Sequence, residues 1–287
     1  MKQIVVPIDF SHQSLNGLDL AMVFARHLKA SVEMVHVIQK EENKEFAEVS
    51  HAKARIEQDF QRIIDKYKKL YSEVGISYII KEGRVYREVI NQAEAYKDSI
   101  IVTSTHGASG WEELIIGGNA YKIVSSSSRP IFSMRGDNVP KQIRRIVLPL
   151  DTTLETREKV PFTTQLAAKL NAKVLVITVS TTELPDIQAK LDNYLTQVCR
   201  YLSHHNIENS SDRITGNNIT DMIIEYALDK KADLISIMTE QEKSVSNILL
   251  GSYAHQMINK APVPVLLFPT RQIGIITESF ITEGIKY

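Results

Sequence analysis

At 287 residues the chain has room for two domains of ordinary size, each able to bury its own core. Hydrophobic residues make up 43% and charged residues 24%, the balance of a soluble globular protein, and no stretch approaches membrane-spanning length. Lys plus Arg and Asp plus Glu both number 34, which removes any bulk electrostatic pull toward nucleic acid or an anionic membrane. The opening run Ile4 to Ile8 is too short for a signal peptide and is followed by Asp9. A single cysteine, Cys199, excludes an intramolecular disulfide and suits a reducing cytoplasm.

In chain order, Ile4 to Ile8 is the first expected strand. Ser11 then caps a helix whose Leu15, Leu18, Met22, Ala25 and Leu28 recur at helical spacing. Val32 to Ile38 is a second strand, and from Glu41 to about Glu73 an apolar stripe, including Phe60, Ile63 and Tyr67, marks a long charged helix. Ile76 to Ile80, Ile100 to Ser104 and Pro130 to Met134 follow as strands, with helices over Val85 to Tyr96 and Asn119 to Ser127. The polar stretch Gly136 to Gln142 reads as a linker. Strands are expected again near Arg145 to Leu150, Lys173 to Val179, Ile214, Leu234 to Met238 and Val263 to Phe268. Cys199 falls in a helical pattern with Leu191, Leu195 and Leu202 and is expected as a buried structural thiol. The apolar tail Arg271 to Tyr287 is expected to pack on one of the domains. Such strand and helix alternation implies parallel sheets covered on both faces.

The second set of elements repeats the first. Pro7-Ile8-Asp9-Phe10-Ser11 recurs as Pro149-Leu150-Asp151-Thr152-Thr153, and Leu28-Lys29-Ala30 as Leu170-Asn171-Ala172, both 142 positions later. Gly117 against Gly251 and Arg129-Pro130-Ile131 against Val263-Pro264-Val265 are 134 apart, so a deletion separates the two spacings. The expected domains are 1–138 and 143–270, with 271–287 as a tail. Pro161 stands where the first copy has Asp19, inside a helix, and should make the second copy's helix kink or start late.

In an open parallel sheet, ligands sit beyond the carboxyl ends of the strands where strand order reverses. Asp9 follows the first strand, Val37 and Ile38 end the second, and the fourth runs into Thr103-Ser104-Thr105-His106-Gly107. Gly117-Gly118-Asn119 then open a helix. Glycines ahead of a helix N-terminus let backbone N–H groups approach an anion that the peptide dipoles also favour.

With these residues the chain resembles the universal stress protein family, over both units from Lys2 to about Pro269. In nucleotide-binding members of that family the phosphate loop is glycine, two residues, glycine, nine residues, then glycine and a serine or threonine. The first copy offers Ser104, Gly107, Gly117 and Gly118: the middle and third glycines match, the first is a serine, and the hydroxyl position is Gly118. One lost hydrogen bond is worth about 1 kcal/mol net, and Asn119 is a substitute donor. The second copy reads Met238, Gln241, Gly251, Ser252, keeping the end of the motif and losing both leading glycines, so its site is expected to be degenerate.

The resemblance implies two tandem Rossmann-like α/β domains of the adenine nucleotide alpha hydrolase kind. Each would hold an open parallel five-stranded sheet with helices on both faces, and the two would pack as a pseudo-dimer through 130–134 and 263–268, with or without further homo-oligomerisation. It further implies a site for ATP or AMP, with or without Mg, at Pro7, Ile8, Asp9, Val37, Thr103, Ser104, Gly107, Gly117, Gly118 and Asn119. Asp9 would meet the ribose or adenine, and Val37 the base. Asp151, Val179, Gly251 and Ser252 hold the corresponding places in the second unit.

Each feature also has a plainer reading. The glycines serve turns and caps in many folds, Asp9 can brace its own loop, and His106 has no second ligand at metal spacing. His204-His205 reads as solvated surface. No Walker, Gly-x-Ser-x-Gly or His-Glu-x-x-His sequence is present, and no lysine lies near the loop for phosphoryl transfer. The expected function is therefore a cytoplasmic, non-catalytic adenine-nucleotide sensor in stress adaptation. The alternative is a nucleotide-independent scaffold, and a weak ATP hydrolase ranks third.

Overall fold

The computed structural model describes residues 1–38, 46–105, 117–153, 155–239, 241–243 and 248–269. The first half runs β1 (Gln3–Pro7), α1 (His12–Leu28), β2 (Ser31–Ile38), α2 (Phe46–Leu70), β3 (Ile76–Glu82), α3 (Val85–Glu94), β4 (Ser99–Ser104), α4 (Gly118–Ser126), β5 (Ile131–Met134). The second runs β6 (Arg145–Leu150), α5 (Val160–Leu170), β7 (Lys173–Ser180), α6 (Pro185–His204), β8 (Asn209–Thr215), α7 (Ile219–Asp229) and β9 (Leu234–Thr239). It continues through β10 (Gln241–Lys243), β11 (Ile248–Leu250), α8 (Ser252–Lys260) and β12 (Val265–Pro269).

Ten strands form one sheet in the order β3-β2-β1-β4-β5-β12-β9-β6-β7-β8. Within each half the pairs are parallel. At the junction β12 lies antiparallel to β5, with Phe132 opposite Leu266. The connection from β1 to β2 runs to one side of the sheet and the one to β4 to the other, so the order reverses between β1 and β4, and again between β6 and β9.

Helices cover both faces, and each face has its own core. One contains Leu18, Phe24, Phe60, Phe132, Leu166 and Val198. The other contains Val89, Ile123, Ile223 and Met257. Each core continues from one half into the other, so the apolar surface of the two halves is removed from water together. Tyr67 of α2 donates to Asp19 of α1 at 2.6 Å, and burial followed by that carboxylate pushes its phenol pKa up.

Local chemistry explains the helix ends. Ser11 caps α1 by accepting from the Ser14 N–H at 3.1 Å, and the left-handed Lys29 and Asn171 close α1 and α5 at the same place in each copy. Pro161 makes α5 begin late, at Val160, behind a 3₁₀ turn over Glu155–Arg157. Asn16 of α1 donates to Asp137 at 2.7 Å, fixing the linker against the first half.

Several expectations need correction. The stretch of the second copy expected as a loop holds the antiparallel pair β10–β11, because Gln241 to Lys243 can pair with Ile248 to Leu250. The last strand begins at Val265 rather than Val263. His204 and His205 are both exposed, as expected of solvated surface, and their rings stand 5.6 Å apart, with His205 at the C-cap of α6 bonded to the Tyr201 carbonyl. Cys199 is half-buried at the edge of the core, not within it, and desolvation pushes its thiol pKa up. The native thiol is therefore expected to react with a disulfide reagent at neutral pH at least about tenfold more slowly than in denaturant, by absorbance. The start of the long helix before Phe46 and the tail from Arg271 lie outside the described residues.

The two halves also touch away from the sheet. Tyr121 on α4 and His255 on α8 hold the same place in their copies, and their rings meet edge to face, 5.8 Å apart. The Leu250 N–H donates to the Tyr121 hydroxyl at 3.3 Å, so α4 of the first half touches the strand that leads into α8.

Candidate functional site

Where strand order reverses in the first half, the ends of β1, β2 and β4 and the start of α4 enclose a cavity of about 340 Å³. Its wall includes nine residues singled out from the sequence: Pro7, Ile8, Asp9, Val37, Thr103, Ser104, Gly117, Gly118 and Asn119. Gly107, with His106 and Trp111, lies outside the described residues. The wall also holds Ser14, Val35, His36, Val85 and Thr105, which the sequence reading missed. Two of these had a signal: Val35 shares a strand face with Val37 by period-two alternation, and Ser14 lies one turn into the helix after Asp9.

One side of the cavity is rigidly braced. Asp9 accepts from the Ser11 N–H at 3.0 Å and the Ser11 hydroxyl at 2.5 Å, forming a side-chain turn that leads into the α1 cap. Between them Phe10 adopts φ 64°, unusual for an aromatic residue, and its ring lies 5.1 Å from His36 and 5.0 Å from Phe60. His36 Nδ1 lies 2.8 Å from the Ile8 carbonyl oxygen, so that nitrogen carries the proton and donates. The loop-bracing role of Asp9 thus coexists with its place on the cavity wall.

The opposite side is the start of α4. Gly117 is its N-cap in an extended conformation with no side-chain cap, and the Gly117 N–H is held by the Thr105 carbonyl at 2.6 Å. The next N–H groups, of Gly118, Asn119 and Ala120, open the helix at the cavity wall with the positive end of its dipole. A Cβ on Gly118 would meet nothing within 4 Å, so a hydroxyl-bearing residue fits there. A Cβ on Gly17 would sit 3.5 Å from the Ser104 nitrogen, an ordinary contact, where α1 crosses the end of β4.

The second half repeats the frame and changes the contents. Asp151 accepts from the Thr153 N–H at 2.7 Å and its hydroxyl at 2.5 Å, as Asp9 does from Ser11. Gly251 is the uncapped N-cap of α8 ahead of Ser252. Yet Val179 is buried where Val37 is half-exposed, and the Thr103-Ser104 pair is replaced by buried Ile237 and Met238. Lys159 takes the place of Gly17; it is buried, and its ammonium donates to the Thr156 carbonyl at 2.6 Å.

Among the described residues no three His, Cys, Asp or Glu side chains are placed to hold a metal ion, and no helix is long and apolar enough to cross a membrane.

Comparison with known proteins agrees with the repeat. The sequence profile of the universal stress protein family matches twice, over residues 1–133 and 142–269. A universal stress protein of Methanocaldococcus jannaschii is 27% identical over 139 residues, 47% of this chain and 82% of its own. A crystal structure of a universal stress protein from Archaeoglobus fulgidus superposes with TM-score 0.78 at 18% identity, covering 93% of this chain and 98% of that one. A universal stress protein structure from Pseudomonas aeruginosa gives 0.69 at 15% identity, covering 99% and 98%. At these identities the two structures speak for the fold.

Proposed function

Because the chain belongs to the universal stress protein family, we propose that its first half is an adenine-nucleotide binding module and that the protein acts as a non-catalytic sensor in the stress response. The observation that carries this reading is the cavity itself, with a braced carboxylate on one wall and an uncapped helix N-terminus on the other. Asp9 suits a ribose or adenine donor, Val37 the base, and the α4 N–H groups with Ser104 and Asn119 the phosphates. Asp9 is the one acid on the wall among the described residues, so any magnesium would arrive carried by a polyphosphate.

The working division is 1–138 for the binding unit, 143–270 for a unit with a degenerate site, and 271–287 as a tail, in a cytoplasmic protein. The antiparallel β5–β12 pairing supports treating the two units as an intramolecular pseudo-dimer. Sensing requires that nucleotide bind one state of the segment between Ser104 and Asn119 more tightly than another, shifting the population presented to a partner.

Calorimetric titration with ATP, ADP and AMP tests the site. Binding at micromolar to millimolar concentration is expected, and Gly118→Ser should tighten it by about fivefold, since one added hydrogen bond gives about 1 kcal/mol. If no nucleotide binds the wild-type chain at millimolar concentration, the scaffold reading replaces the sensor.

A further inference from the structure

Beside the cavity, where Val85 joins its wall, α3 begins with an arrangement that works against the helix. Its N-cap is Arg84, which makes no side-chain cap, and its third residue is Arg87. Cations at a helix N-terminus face the positive end of the dipole and cost stability there. Lys122, in the second turn of α4, brings its ammonium to 5.5 Å from the centre of the Tyr86 ring, and the Arg87 Nε donates to the Tyr86 hydroxyl at 3.0 Å. The guanidiniums of Arg87 and then Arg84 hold the Tyr86 phenol pKa below its ordinary value. Arg84, Arg87 and Lys122 are all exposed, and none has a carboxylate partner among the described residues. The nearby acids are Glu82, which is exposed, and Glu88, which packs against Gly83.

The second half provides an internal comparison. Counting from the helix caps, Arg84, Arg87 and Lys122 correspond to Asn218, Asp221 and Gln256. There the helix start follows the stable pattern: Asn218 accepts from the Asp221 N–H at 3.2 Å, and Asp221 pairs with Lys260 at 2.9 Å. Three cations therefore occur beside the first-half cavity, at positions where the other half has one acid and two amides. A local rule broken beside a cavity is the kind of departure expected at a functional position.

From this we infer that Arg84, Arg87 and Lys122 form a cationic rim that recognises the phosphate tail of a nucleotide in the first-half cavity, favouring triphosphate over monophosphate. The inference rests on the nucleotide reading of that cavity and adds what sets its phosphate preference. The short phosphate of AMP is held by the α4 N–H groups, and the β- and γ-phosphates of ATP extend to the rim, where exposed charges act through screened attraction.

ATP and AMP are titrated by calorimetry into the full-length wild type and the triple variant R84Q/R87Q/K122Q, at low and high salt. The wild type is expected to prefer ATP by about tenfold at low salt, the sum of a few exposed charge interactions, and to lose most of that preference at high salt. In the triple variant AMP affinity should be unchanged and ATP should fall to the AMP level. The variant should melt no lower than wild type, because it removes cations from a helix N-terminus. An ATP preference that survives in the triple variant, or its absence from the wild type, overturns the rim and leaves the nucleotide site standing. Failure of both nucleotides to bind the wild type overturns both.

Discussion

Exchanging Thr103 and Ser104 for the isoleucine and methionine of the second copy is expected to abolish nucleotide binding by the first half. Both residues end β4 and line the cavity, with the Thr103 hydroxyl donating to the Ser104 carbonyl at 3.1 Å. The double variant T103I/S104M would remove two hydroxyls and fill space with apolar bulk. Hydrogen bonds to a charged phosphate are worth roughly 1.5–3 kcal/mol each, so loss of one such contact plus steric exclusion lowers affinity by about 100-fold or more. The fold should persist, because Ile237 and Met238 sit buried at the same strand end in the second half. Calorimetry gives the affinity and circular dichroism the melting temperature. An unfolded double variant would be uninformative about the cavity, but one that folds and binds ATP like the wild type would place the ligand elsewhere.

The largest stability effect is expected from Phe132→Ala. Phe132 is fully buried in β5, its ring centroid 4.1 Å from that of Phe24, and it faces Leu266 across the junction of the halves. Truncating such a ring removes transfer free energy and leaves a cavity, at a cost of about 3–5 kcal/mol. For a chain of this size that lowers the melting temperature by on the order of 10 °C. Because the core on that face continues through both halves, the loss should lower the whole transition. Differential scanning calorimetry in which only part of the heat moves, with a separate peak left at the wild-type temperature, would show that the junction couples the halves weakly.

Much of the fold was legible because its determinants are local. The Ser11 cap, the apolar spacing of α1 and Pro161 each act within a turn or two, and the structure places α1 and the late start of α5 accordingly. Alternation of strands and helices puts the strand ends on one side of a parallel sheet, so residues as distant in sequence as Asp9, Val37 and Gly117 point to one place, and all three line the cavity. What escaped depends on partners far away in sequence. His36 gave no signal because its role is set by the Ile8 carbonyl and the Phe10 ring. Lys159 looks like any surface lysine until its helix start is bent by Pro161 and folded inward over Thr156. The rim at Arg84, Arg87 and Lys122 required α3 and α4 to be brought side by side around Tyr86.

The meeting of Tyr121 with His255 has a consequence for how such a protein can diverge. In a symmetric pair of identical chains, a residue on the axis faces its own copy, so every substitution there is made twice and must suit itself. Here the facing positions carry different side chains, a phenol and an imidazole, which identical subunits cannot offer each other. With both copies in one chain, each facing position can change alone, so this contact is a place where one half can be adjusted to the other.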